Sequence, residues 1–375
     1  MKRVLRDSNY ELLRIIATFF VVLWHAIIHA NLLNKTSGTV NFVLVALIFI
    51  TIIHVSLYML ITGYYQCNGN FKLSKLLSLI GEVWFYNIII NSILMITGVV
   101  KYTNIEFLKQ TFIFNYECYW YIGCYIVTYL LSPYLNKLIH NCSRADLKKI
   151  IIINIGCFSI LPYLTGNISF LISGFNLYQF LMMYFIGAYI RKYNLNEEFL
   201  SRMNVYQKRF VYLSVYILLL LLNFSLFYLK DTLRLLDSNI LKHIANNIEM
   251  YFYEYNSPFV VFESIFIFMF FGTFQIKCRF INLISSTTVG IYLIHESCYM
   301  QKIIYNLLDL TNKNYMSSNL FIPRLLITVL IIFVVCSVLE LLRKVLSKLI
   351  FKIKPINYIW KSLNEKISKL LEVNY

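Results

Sequence analysis

Arg14 and His25 lie in one stretch, NYELLRIIATFFVVLWHAIIHAN over residues 9–31, that is otherwise apolar enough to cross a bilayer. Eleven residues separate them. That is close to a whole number of helical turns, so both fall on one helix face, roughly 16 Å apart along the axis. Glu11, Thr18 and His29 lie near the same stripe, and the other faces are Ile, Phe, Val, Leu and Trp. An arginine at the membrane centre costs roughly 3 kcal/mol on insertion scales. The stripe must therefore face a polar interior. Histidine is the natural general base near neutral pH. The planar fork of an arginine suits a phosphate-bearing donor or a thioester cofactor. Arg14 sits nearer the start of the helix and His25 about two-thirds along it, so the pattern predicts a donor at the inner end and a base farther out.

A second group lies in TVGIYLIHESCY. On a helix, Thr288, Tyr292, His295 and Tyr299 share one face, with Glu296 beside it. A carboxylate there can fix the tautomer of a nearby histidine. Further candidates for substrate contact are Glu82, Glu263 and Trp120, together with Gly63 and Tyr64 in LITGYY. Gly63 permits a close backbone approach or a turn, and Pro258 suits the first turn of the helix that carries Glu263. Each has a plainer alternative: ion pairs for the two glutamates, a buried hydrogen-bonding role for His54, an interfacial one for His29. Most Tyr and Trp residues at helix ends read as an aromatic belt. No G-x-S-x-G, H-E-x-x-H or P-loop motif is present. The eight cysteines show no paired spacing, so neither a disulfide framework nor a metal site is expected.

These residues need a bundle to bring them together. The chain of 375 residues is 59% hydrophobic and 14% charged, against about 25% charged in a soluble domain. Apolar segments of spanning length recur from end to end. The expected fold is all-α, a polytopic membrane bundle of about ten transmembrane helices. They run over 10–33, 39–65, 76–100, 118–139, 147–165, 175–193, 207–229, 257–275, 287–307 and 319–346. With the N-terminus inside, about 24 of the 34 basic residues fall on the inner side. The positive-inside rule then puts both termini in the cytoplasm. The net charge of +16 reflects this sidedness and not a nucleic-acid partner. The longest outer loop, 230–256, is placed to cover an outward-facing site. Residues 1–347 form the membrane-embedded unit, and 348–375 a basic amphipathic cytoplasmic tail lying on the bilayer surface.

Four of these stretches, in order, resemble the acyltransferase 3 family of integral membrane O-acyltransferases, in particular its bacterial surface-polysaccharide members. They are ELLRIIATFFVVLWH with Arg14 and His25, LITGYY, YWYIGCYIVTYLLSPYLN led by Trp120, and VGIYLIHES with His295. The resemblance covers about residues 8 to 345. It implies a multi-pass protein of the bacterial inner membrane. The co-substrate would be acyl-CoA, with acetyl-CoA foremost, and no cofactor would be bound permanently. The acceptor would be a sugar hydroxyl of an exopolysaccharide, capsule, lipopolysaccharide or lipid-linked precursor. It implies His25 as the base and Arg14 as a donor contact. The segment KLLSLIGEVWFYN is less basic than in many members, which leaves Lys72 and Lys75 as further donor contacts. Some members append a soluble hydrolase-like domain, and none is expected here. The main rival is a transporter or flippase for a glycolipid or acyl donor. It predicts broken-helix repeats, which the sequence does not display.

Overall fold

The computed structural model describes residues 7–101, 103–111, 116–165, 174–236, 238–251, 253–307 and 320–350. Among them every regular element is helical. The first helix, α1 (Ser8–His29), is followed by a short α2 (Leu32–Lys35) and by α3 (Gly38–Thr51) and α4 (His54–Gln66), which run almost continuously. Next come α5 (Leu73–Ile96), α6 (Asn104–Thr111) and α7 (Tyr116–Asn141), the last kinked at Tyr119 and carrying Pro133. Ser143 caps α8 (Arg144–Ile155) by accepting from the Asp146 amide, and a π turn (Gly156–Ile160) joins it to α9 (Leu161–Thr165). Asn176 caps α10 (Leu177–Lys192), and α11 (Leu195–Glu198) follows. A reciprocal capping box of Asn204 and Gln207 opens α12 (Val205–Leu235). The remaining helices are α13 (Asn239–Tyr251), α14 (Pro258–Gly272), α15 (Arg279–Ser285), α16 (Thr288–His295), α17 (Met300–Leu307) and α18 (Phe321–Ile350).

Helices occur at all ten expected positions. Five segments among the described residues are long and apolar enough to cross a membrane: Ser8–His29, Gly38–Gln66, Leu73–Ile96, Val205–Leu235 and Phe321–Leu349. The expected span 257–275 is the 15-residue α14, with Pro258 at its first turn. The expected span 287–307 is interrupted after His295, where Glu296 leaves helical geometry before α17 begins. The segment 230–256 is largely helical, formed by the end of α12 and by α13. Cys298 is disulfide-bonded, a cross-link that the cysteine spacing, read as showing no disulfide framework, did not point to, because it is set by the fold. The boundary expected at 347 falls inside α18, and the tail from 351 onward lies outside the described residues.

The bundle is built around α1. Its Val22, Leu23, Ala26 and Ile27 join one apolar core with residues of α5, α7, α16 and α18. Its Tyr10, Leu13 and Ala17 join a second core with α4, α10 and α14. The start of α1 docks polar-first. Ser8 and Asn9 are buried; the Asn9 amide donates to Phe271 O at 2.9 Å, and the Cys278 amide donates to Ser8 Oγ at 2.9 Å. These bonds fix the rotation of α1, and with it the direction of the Arg14–His25 stripe. By contrast α18 exposes Ile327, Leu330, Val334, Val338 and Leu342 along one side. An apolar face that long is an association hazard in water and ordinary in lipid.

Candidate functional site

Two histidines one turn apart on α1, His25 and His29, meet the end of α16 at its break. His25 Nδ1 lies 3.0 Å from His295 Nε2 and 2.9 Å from Glu296 Oε2. His29 Nε2 lies 3.2 Å from the same carboxylate oxygen. The ring protons follow from the partners. His295 Nδ1 is 2.6 Å from Ile291 O, and a carbonyl only accepts, so Nδ1 carries the proton and Nε2 keeps the lone pair. Both groups facing His25 Nδ1 are then acceptors, so that nitrogen donates. A neutral His25 therefore keeps its free lone pair on Nε2.

His25 also lines a narrow chamber with Thr18, His54, Tyr58, Trp120, Tyr255 and Tyr292. Most polar groups of its wall are already engaged. Thr18 Oγ1 donates to Arg14 O at 2.7 Å and meets Tyr58 Oη. His54 Nδ1 donates to Thr51 O at 2.6 Å, so its Nε2 accepts from Tyr255 Oη at 3.1 Å. Thr288 Oγ1 donates to Ser285 O at 3.0 Å. The Tyr292 hydroxyl is buried and has no partner among the described residues. Its ring centroid stands 6.5 Å from that of His25. Trp120 closes one side, 5.8 Å from the Tyr255 ring and 4.8 Å from Phe175.

A larger cavity of about 440 Å³ shares Tyr58, Tyr121, Ile122, Thr288 and Val289 with this chamber. That volume lies within the roughly 300–1,000 Å³ of small-molecule sites. Arg14, Gln66, Lys75 and Glu82 line it. Glu11 Oε2 accepts from Arg14 Nη1 at 2.7 Å and also from the Ser285 hydroxyl. A guanidinium carries five N–H donors, and the Arg14 side chain is 28% exposed, so it is anchored by one nitrogen and keeps donors for a ligand. The arrangement pairs a polar, cationic vestibule with an apolar chamber lined by a histidine whose Nε2 has a free lone pair.

The structure thus brings His25, His295, Tyr292 and Trp120 together, and places Arg14 and Glu82 in the adjoining cavity. Glu82 is also ion-paired, 3.3 Å from Arg343 Nη2, in a network with Glu340. Three candidates lie elsewhere. Glu263 is fully buried on α14 against α12, beside Tyr216 and Asn223, and lines neither cavity. Gly63 is a packing glycine: a Cβ there would sit 2.2 Å from Tyr184 O of α10, and one at Gly187 would sit 2.3 Å from Leu60 O. Tyr64 accepts from Arg191 at 3.0 Å and packs on Tyr10, again outside both cavities. Sequence reasoning gave His29 and His54 plainer roles and left Tyr255 unmarked. The signal for His29 was its place one turn beyond His25. Tyr255 carried none, because it reaches the chamber from a connection far along the chain.

A family model described as "Acyltransferase domain", that of acyltransferase 3, matches residues 7–341. The chain belongs to this family. It is an acyltransferase and, with its apolar helices, a multi-pass membrane protein. No curated protein and no solved structure matches the chain.

Proposed function

We propose that the protein is an O-acyltransferase of the bacterial inner membrane. It moves an acyl group, acetyl foremost, from acyl-CoA to a sugar hydroxyl of an exopolysaccharide, capsule, lipopolysaccharide or lipid-linked precursor. The observation that carries this reading is the pair of acceptors facing His25 Nδ1, from which its tautomer follows. Its Nδ1 is committed to Glu296 and His295, so its Nε2 is available as a base, and His25 lines a chamber whose wall is shared with the Arg14 vestibule. The phosphates of the donor bind at Arg14 and Lys75, and the thioester reaches into the chamber. His25 Nε2 takes the proton of the sugar hydroxyl as its oxygen attacks the thioester carbonyl. Glu296 and His295 hold the ring, and the carboxylate stabilises the imidazolium that forms. The Tyr292 hydroxyl donates to the oxyanion of the tetrahedral intermediate. The C–S bond then breaks, and the departing CoA thiolate takes the proton from His25. Transfer is direct, because among the described residues the chamber wall offers no cysteine or serine, and the Thr18 and Thr288 hydroxyls are committed to backbone carbonyls.

This reading includes about ten spans with both termini cytoplasmic. In support, Arg14, Lys75 and Arg343 gather at one end of the bundle, while His29 and the disulfide-bonded Cys298 lie toward the other. A disulfide fits the oxidising outer side.

The test is transfer from labelled acyl-CoA to membrane polysaccharide by purified His25→Ala and His25→Gln proteins, beside a donor-binding control. We expect donor binding nearly intact and transfer reduced roughly 100-fold or more in both. Transfer at the wild-type rate in His25→Ala would refute the mechanism.

A further inference from the structure

We propose that His25, His29, His295 and Glu296 also form a site for a divalent transition-metal ion of the zinc class, and that its occupation shuts transfer off. The shut-off rests on the reading of His25 as the base; the binding does not. His25 Nδ1, His29 Nε2 and a Glu296 oxygen lie within 4.8 Å of one another, and His295 Nε2 is 3.0 Å from His25 Nδ1. Zinc holds imidazole nitrogen at about 2.0–2.1 Å and carboxylate oxygen at about 2.0–2.2 Å. Tetrahedral ligand atoms then stand roughly 3.3–3.5 Å from each other. The shortest separations of 2.9, 3.0 and 3.2 Å lie just below that range and the 4.8 Å bound lies above it, so modest side-chain shifts bring the four atoms round one ion.

The donor set is chemically apt. Three imidazoles and one carboxylate suit zinc, nickel or copper better than calcium or magnesium. His25 and His29 stand one turn apart on a helix, a spacing that directs two imidazoles to one point. The bond from His295 Nδ1 to Ile291 O is the outer support that metal-binding histidines commonly have. Access is also provided. The His29 side chain is 26% exposed, whereas those of His25 and Glu296 are 10% or less, so an ion arrives by way of His29.

Coordination needs lone pairs at His25 Nδ1 and His29 Nε2. The ring protons therefore move to His25 Nε2 and His29 Nδ1, while His295 Nε2 and the carboxylate need no change. His25 Nε2 then carries a hydrogen and cannot accept one from the sugar hydroxyl. The same tautomer that makes His25 a base makes its other nitrogen the switch.

The experiment uses the full chain in detergent or nanodiscs, with Zn²⁺ titrated calorimetrically and Co²⁺ as a spectroscopic probe of nitrogen–oxygen ligation. We expect one ion per chain and a visible Co²⁺ band typical of tetrahedral sites. His29→Ala should weaken binding tenfold or more, since losing even outer-shell support costs about 10–100-fold. Glu296→Gln, which preserves side-chain shape, should weaken it similarly and guards against a folding artefact in the first variant. Zn²⁺ should lower kcat with the acyl-CoA KM unchanged, and a chelator should restore it. Absence of saturable binding, or equal affinity in both variants, overturns the site. Binding of one ion with transfer unaffected overturns the shut-off. If Zn²⁺ fails to bind while His25→Ala abolishes transfer, this inference falls and the acyl-transfer reading stands. If Zn²⁺ binds but His25→Ala transfers normally, the reading of the base falls.

Discussion

His25 Nδ1 and Glu296 Oε2 lie 2.9 Å apart, although 271 positions separate the two residues along the chain. Both are buried, and the same carboxylate holds His29. A carboxylate so placed fixes a histidine tautomer and stabilises the imidazolium that a general base becomes. The Ser-His-Asp triad uses the same logic.

Glu296→Gln keeps the shape and removes the charge. The amide can still meet His25, but it no longer favours the protonated ring. We expect kcat to fall roughly 100-fold with the acyl-CoA KM little changed, a loss confined to the transition state. Steady-state kinetics on purified protein measures the split. A raised KM at constant kcat would make Glu296 a substrate contact and remove it from the positioning of His25.

Tyr292→Phe deletes the chamber hydroxyl that, among the described residues, is buried without a partner, and leaves the ring that packs against Tyr119 and Tyr121. Removing an unpartnered hydroxyl should not lower thermal stability. If that hydroxyl serves the oxyanion, kcat should drop about 10²-fold, the lower end of what one such donor contributes. Unchanged turnover would assign the group to packing.

The stripe on α1 was legible because a helix repeats its faces, and eleven residues nearly close a whole number of turns. Its partners were legible only in part: His295 and Glu296 stand out in their own stretch, but no local pattern pairs them with α1, and Tyr255 reaches the chamber from a distant segment that carries no signal. Glu263 illustrates the limit from the other side. An intramembrane carboxylate invites a functional reading, yet α14 turns it toward α12 and away from the chamber. Which face of a helix meets the cavity is decided by packing, and composition alone does not carry that. The break after His295 was hidden for a similar reason. Apolar residues on both sides of it, Ile291 to Ile294 and Ile303 to Ile304, suggest one continuous helix, while Glu296 leaves the helix to meet two histidines.

Gly63→Ala tests the packing account of the LITGYY stretch. The added methyl meets the Tyr184 backbone, which cannot swing aside as a side chain would. We expect a loss of about 1–3 kcal/mol, the usual range for overpacking, visible as earlier thermal unfolding in detergent. Acyl-CoA affinity of the surviving folded protein should match wild type. A stable variant with weakened donor binding would return Gly63 to the site.

Arg14→Lys probes the vestibule. Lysine keeps the charge but loses the planar fork, so it cannot hold Glu11 and a phosphate together with the same geometry. Glu11 accepts from both Arg14 and Ser285, so the carboxylate remains satisfied in the variant and the start of α1 should stay docked through Ser8 and Asn9. The loss should therefore fall on the ligand and not on the fold. We expect acyl-CoA binding to weaken about tenfold, equivalent to about 1.4 kcal/mol, while the thermal midpoint shifts little. If the contact is to the phosphates, CoA lacking the acyl group should lose affinity to the same extent. Binding measured in nanodiscs with both ligands decides it. An unchanged dissociation constant would leave Arg14 as a structural partner of Glu11, and donor recognition would pass to Lys75, which lines the same cavity.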